Sequence, residues 1–279
     1  MNITCYDYSF PLLPTPDAVQ LVKMLGFDSI ALGLWGAHTQ LSARTLPDDP
    51  DAVGGLADLL GRSGLAVSDV FFIPDADYSV MAIDHPSPDE RAAGRERFVK
   101  ALEVARRLGS RGITLVPGVA YPDVDAAESL RTAAEELRAR VDLGQAAGVQ
   151  VTVEPHIGSI TETPAQVLEL LGLVPGLGIT LDLSHFVMQG IAQSEVDIDE
   201  LYARIGLVHA RGARPGRLQV GMADNTIDFR AMVQRLKAVG YDGLIATEYL
   251  WVAQGGCDED DTLSETILMR DLLRELIGA

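Results

Sequence analysis

Eight short apolar runs rich in β-branched residues punctuate the chain, and a segment of helical period follows almost every one. The runs are 3–6, 29–32, 66–72, 113–116, 149–153, 179–181, 205–208 and 244–246. Most show no alternation of apolar and polar residues, which is the pattern of parallel strands covered on both faces. The intervening segments have readable ends. After Asp228, a good N-cap, Phe229, Met232, Val233, Leu236 and Val239 form one stripe and Gly240 supplies the stop. Phe98, Ala101, Leu102, Ala105 and Leu108, followed by Gly109, repeat the theme, as do Leu130, Ala134, Leu137 and Val141, and Leu268, Leu272 and Leu276. The Asp-rich stretches 48–51 and 258–261 each precede a helical segment and read as helix N-termini. Eight strand–helix units in 279 residues predict a (β/α)₈ barrel. A doubly wound open sheet, the alternative, usually stops at about five to seven strands. No linker or low-complexity tract divides the chain, so residues 1–279 are expected to form a single barrel domain.

In such a barrel, side chains at the C-terminal ends of strands converge on one cleft. The fifth to eighth runs end in Glu154, Asp182, His209 and Glu248, spaced by 28, 27 and 39 residues, each about one strand–helix unit. Three carboxylates crowded at one end of a buried strand layer repel one another, and each is expensive to desolvate. A divalent cation relieves both problems. Three oxygens and one imidazole nitrogen suit Mn²⁺, Mg²⁺ or Co²⁺, whereas Zn²⁺ prefers more nitrogen or sulfur. The expectation is one divalent metal, Mn²⁺ first, held by these four residues.

Forty acidic residues against 22 basic give a net charge of −18. That field opposes binding to nucleic acid or to anionic membranes and leaves a small molecule as the partner. Cys5 and Cys257 are too few and too distant to read as a disulfide framework, and neither neighbours a basic residue, so both read as structural. No apolar run approaches the length of a membrane span, and the first residues lack the layout of a secretory signal, so a cytoplasmic location is expected.

The motifs Val153-Glu154-Pro155, Leu181-Asp182-Leu183-Ser184-His185, the His209 strand end and Thr247-Glu248 resemble the xylose isomerase-like TIM-barrel superfamily, over essentially the whole chain. The segment 85–91 fits the same pattern. Within it they are similar to the sugar isomerase/epimerase branch, which includes ketose 3-epimerases, hydroxypyruvate isomerase and inosose dehydratase. The resemblance implies that Glu154, Asp182, His209 and Glu248 bind the metal and that Glu154 and Glu248 double as the proton-transfer pair. It also implies that His185 contacts a substrate oxygen and that an arginine past His209, here read as Arg217, does likewise. The implied activity is a metal-dependent sugar or keto-sugar isomerase or epimerase. Its proton abstraction next to a metal-chelated carbonyl passes through an enediolate. Members of this branch often form homodimers or homotetramers.

The chain also departs from that pattern. Ketose 3-epimerases generally carry a further glutamate six residues after the first metal glutamate, and here Ile160 stands there. His156, two residues past Glu154, is a candidate for facing the substrate, with a loop-stabilising role as the alternative. Arg211, Arg214 and Arg217 crowd the loop after His209, where barrels often bind anions. One of them is expected to reach substrate while the others pair with surface acids. Aromatic residues end the first two strands (Tyr6, Tyr8, Phe10 and Trp35), and Trp35 is the candidate for packing on a sugar face. The arginine cluster and the missing glutamate make a metal-dependent lyase, a dehydratase or decarboxylase of a keto-sugar acid, the alternative activity. A DNA-repair nuclease of the same superfamily would need more histidines than the five present: His38, His85, His156, His185 and His209.

Overall fold

A computed structural model describes residues 1–36 and 39–278; His38 lies outside the described residues. The eight runs become eight parallel strands: β1 (Asn2–Tyr6), β2 (Ser29–Trp35), β3 (Ala66–Ile73), β4 (Gly112–Leu115), β5 (Gln150–Val153), β6 (Gly178–Asp182), β7 (Ile205–Ala210) and β8 (Leu244–Thr247). Each pairs with the next, and β1 pairs with both β2 and β8, which closes the barrel. A two-residue strand, Leu41–Ser42, adds to the end of β2.

Helices return the chain between strands: α1 (Thr15–Met24), α2 (Pro50–Ser63), α3 (Pro88–Arg107), α4 (Ala126–Ala147), α5 (Pro164–Leu173), α9 (Phe229–Ala238) and, after β8, α10 (Thr262–Ile277). Three short helices, α6 (Leu183–Met188), α7 (Gln193–Val196) and α8 (Asp199–Tyr202), share the crossover from β6 to β7. Gly190, at φ +81°, follows α6 and turns the chain away, so no single long helix forms there. The Asp-rich stretches cap as their composition predicts. Asp49 accepts from the backbone N–H groups of Asp51 and Ala52, and Asp261 from those of Leu263 and Ser264. Each such cap is worth about 1 kcal/mol.

The strands bury nearly all their residues, but the barrel interior is not a hydrocarbon core. Thr114, Thr152 and Thr180, on β4, β5 and β6, form a triangle of hydroxyls 2.8 to 3.1 Å apart. A bond from β4 to β6 bypasses the strand between them and therefore crosses the interior. Thr4 and Ser68 make a similar pair at 2.8 Å. Threonine keeps the β-branched shape that suits a strand while its hydroxyl is satisfied by another hydroxyl.

Beyond β1 the chain tightens into a turn over Asp7–Ser9, and Asp7 Oδ1 accepts the backbone N–H of Gly33 on β2 at 2.8 Å. Asp7 Oδ2 is buried without a partner, and burial raises this carboxyl from an ordinary 3.8 to about 7. A carboxyl raised in the folded state stabilises the fold below its unfolded value, and that contribution is lost as pH rises through the folded value. Asp7→Asn keeps an acceptor for Gly33 and cannot ionise. Its stability relative to wild type should therefore climb between pH 4 and pH 8 in urea unfolding; parallel pH profiles would show that Asp7 ionises normally in the fold.

Candidate metal centre and substrate pocket

The four strand-end residues meet at the C-terminal mouth of the barrel. Asp182 is the last residue of β6, and its Oδ1 caps α6 by accepting from Ser184 N at 2.8 Å, which aims Oδ2 at the cleft. Glu154 and Glu248 stand one residue past β5 and β8, yet the ladder still holds their backbones through Leu115 O at 2.9 Å and Ala210 O at 3.1 Å. His209 lies within β7. One donor atom from each of the four falls within 4.8 Å of all the others, and none of the residues is more than 2% exposed.

His209 Nδ1 sits 2.6 Å from Glu154 Oε1 and 3.2 Å from Glu248 Oε2. A single N–H cannot serve both, and Glu248 Oε2 is left buried without a hydrogen bond. Burial, reinforced by Glu248, pushes the Glu154 carboxyl up from 4.5 to about 7. Burial also works against charge on Asp182 and Glu248, but the adjacent Arg211 and His209 hold both below their ordinary values. Burial opposes a charged His209 as well, and the two glutamates beside it win, so its pKa is raised. His185 is driven the other way by burial and by His156 and Arg211, and it is neutral. The donor set fits a divalent cation: three oxygens and one nitrogen, all buried, one oxygen unpartnered, in a cluster with more negative groups than fixed cations.

The arginine in the site is Arg211. Its Nη2 lies 2.7 Å from Asp182 Oδ2 and 3.1 Å from His185 Nε2, and its Nε donates to Ser184 Oγ at 3.0 Å. Arg217, expected against substrate, instead reaches Glu259 at 2.7 Å and the Gly256 carbonyl at 3.3 Å, and Arg214 is exposed. The signal for Arg211 was its spacing. It follows His209 by two, so strand periodicity puts both side chains on one face.

His185, His156 and Trp35 are brought together around a cavity of about 160 Å³ that also touches Glu154, Arg211 and Glu248. The His156 and His185 rings lie 4.3 Å apart, and His156 Nδ1 donates to its neighbour's carbonyl, Ile157 O, at 2.5 Å. His156 thus anchors its loop and lines the cavity at once. Trp35 leans over Tyr8 at 4.6 Å and meets Phe71 edge-on at 5.5 Å. Leu218, Leu250, Val252 and Cys257 complete an apolar wall. Cys257, read from sequence as structural, thereby also borders the cavity.

Three residues assigned no role from sequence hold the donors in place. Tyr8 donates to Glu248 Oε1 at 2.7 Å. Tyr6 Oη is 2.9 Å from His209 Nε2 and 2.9 Å from Asp69 Oδ2. Asp69 had a readable signal: an acid inside the apolar run of β3 has to be paid for by a partner.

Comparison with known proteins agrees with this architecture. The family model described as xylose isomerase-like TIM barrel matches residues 19–271, and the chain belongs to that family. No curated protein sequence matches significantly. Among solved structures, D-allulose 3-epimerase from Methylomonas sp. superposes with TM-score 0.79 at 17% identity, over 99% of this chain and 96% of that one. The 3-keto-D-glucoside 4-epimerase of E. coli gives 0.74 at 18% identity, over 100% of both chains. A probable 3-DHS dehydratase involved in petrobactin synthesis, from Bacillus anthracis, gives 0.73 at 18% identity, over 98% of both. At these identities the likeness is one of fold.

Isothermal titration with Mn²⁺ should give one ion per chain. Asp182→Asn combined with Glu248→Gln should abolish binding, and the metal should raise the melting temperature of wild type only. Equal binding by the double variant would place the ion elsewhere.

Proposed function

We propose that the protein is a divalent-metal-dependent keto-sugar epimerase or isomerase, with Glu154 and Glu248 as its proton-transfer pair. The observation that carries this reading is the convergence of two buried glutamates, from β5 and β8, on one imidazole, both glutamates lining a cavity of about 160 Å³. A divalent cation held by Glu154, Asp182, His209 and Glu248 would supply Lewis-acid stabilisation of the negative charge that develops as a carbon acid loses its proton. The chain does the rest. One glutamate removes the proton from the carbon beside the carbonyl, and the other returns one to the opposite face, or to the neighbouring carbon for isomerisation.

Arg211 and His185 flank the carboxylates and are placed to orient substrate oxygens. Arg211 Nη1 and Trp35 Nε1, on residues that line the cavity, are buried N–H donors without partners among the described residues, and substrate oxygens would satisfy them. The apolar wall excludes water while charge develops. The expected setting is cytoplasmic, with a small-molecule substrate and no nucleic acid, in keeping with a net charge of −18. No helix among the described residues is long and apolar enough to cross a membrane.

A second reading, a lyase acting on a keto-sugar acid, is favoured by one feature. Ile160 is buried where ketose 3-epimerases carry a glutamate, while Arg211 puts a fixed cation at the reacting end. That exchange of charge suits a carboxylate-bearing substrate.

The test is deuterium incorporation by NMR in D₂O with Mn²⁺ and a panel of ketoses, keto-sugars and sugar acids. Exchange beside the carbonyl with an intact carbon skeleton, lost in Glu154→Gln and Glu248→Gln, is the expected result. Loss of water or CO₂ would establish the lyase, and no exchange across the panel despite a bound ion would overturn the assignment. On the same substrate, Arg211→Met should lower kcat/KM by about 100-fold or more, as for removal of a buried charge-stabilising donor. Arg217→Ala should stay within about twofold, as for an exposed ion pair.

A further inference from the structure

We propose that Asp69, acting through the Tyr6 hydroxyl, is a positioning residue that fixes which nitrogen of His209 is free to bind a cation. The inference rests on the metal-dependent reading above and concerns residues that supply no ligand themselves.

Asp69 lies on β3, outside the four strands that carry the donors, and is 2% exposed. Its Oδ2 is 2.9 Å from Tyr6 Oη, and Tyr6 Oη is 2.9 Å from His209 Nε2. The directions of these bonds follow from proton counting. An ionised carboxylate only accepts, and a phenol has one proton. Tyr6 therefore donates to Asp69 and must accept from His209, so the proton of the neutral imidazole sits on Nε2. Without a cation Nδ1 carries a second proton, which faces Glu154 Oε1 at 2.6 Å and Glu248 Oε2 at 3.2 Å; a bound cation would replace that proton on the Nδ1 lone pair while Nε2 keeps its own. Remove the carboxylate and the phenol is free to donate to Nε2, which puts the imidazole proton on Nδ1, where a cation would need a lone pair.

Two further features hold the relay in register. Tyr6 stacks on Tyr8 at 4.4 Å and 19°, and its ring stands edge-on to His209 at 5.1 Å and 87°. Gly112, at the start of β4, leaves room for the carboxylate: a Cβ there would lie 3.0 Å from Asp69 Oδ1. β1 and the turn after it thus contribute no donor to the centre but orient two, His209 through Tyr6 and Glu248 through Tyr8.

The experiment is Mn²⁺ titration calorimetry on the full chain at pH 8, comparing wild type with Tyr6→Phe and with Asp69→Leu, which leaves Tyr6 no acceptor on β3. Both variants should bind one ion with affinity lower by about 10- to 100-fold, as for loss of an outer partner of a metal-ligating histidine. Thr4→Val is the control. It removes a barrel-interior hydroxyl of β1 that bonds Ser68 and has no link to His209, and it should bind within twofold of wild type. Histidine-selective ¹⁵N NMR of the Mg²⁺-loaded protein gives a second readout that a general loosening of the barrel would not move. The His209 Nε2–H should give a hydrogen-bonded, slowly exchanging signal in wild type and lose that protection in Tyr6→Phe. Wild-type affinity in both relay variants, or an equal loss in Thr4→Val, would overturn the relay and leave the metal site standing. Failure of wild type to bind Mn²⁺ at all would overturn the reading on which the relay rests.

Discussion

Everything at the barrel mouth depends on keeping three carboxylates ionisable in a space that excludes water. Glu154, Asp182 and Glu248 are all at least 98% buried, and their mutual repulsion would close the cleft or protonate it if nothing opposed them. Two groups from β7 and its exit oppose them from within. His209 stands between the two glutamates, and Arg211 lies against Asp182. These two do not balance the charge, because Glu154 is still pushed up to about 7. A cluster that remains short of positive charge and holds an unpartnered oxygen fits a cation by its electrostatics as well as its geometry.

That demand propagates into the barrel. A hydrocarbon interior would offer the donors no hydrogen-bonding support. The strands here supply threonines, Ser68 and Asp69, and the polar groups satisfy one another. Tyr6 at the end of β1 and Tyr8 in the turn after it connect this interior to the donors, each with its ring packed in an aromatic cluster and its hydroxyl on a site residue. Amphipathic side chains of this kind give rigid packing at one end and a directed hydrogen bond at the other.

The fold itself is shared by structures titled as a 3-epimerase, a 4-epimerase and a dehydratase. One fold therefore carries differently titled activities, and what distinguishes them lies in the pocket rather than in the scaffold. In this chain the pocket joins a fixed guanidinium beside the carboxylates to a mostly apolar far wall of Leu218, Leu250 and Val252. The polar groups are concentrated at the end that holds the carboxylates.

By itself, the sequence determined the barrel and which four side chains would meet at its mouth. Strand and helix signals are local, carried by runs of β-branched residues, by apolar stripes and by caps such as Asp228 and Asp261, and such signals survive without tertiary context. Glu154, Asp182, His209 and Glu248 were legible because a strand end in a barrel has only one cleft to face. Which arginine enters the site was decided only in three dimensions. Arg217 finds Glu259, a partner 42 residues away, while Arg211 finds Asp182 across 29. The links from Asp69 through Tyr6 to His209 span 63 and 203 residues. Hydrogen bonds of that range depend on how the closed barrel superimposes its strands, and no local pattern in the chain encodes them.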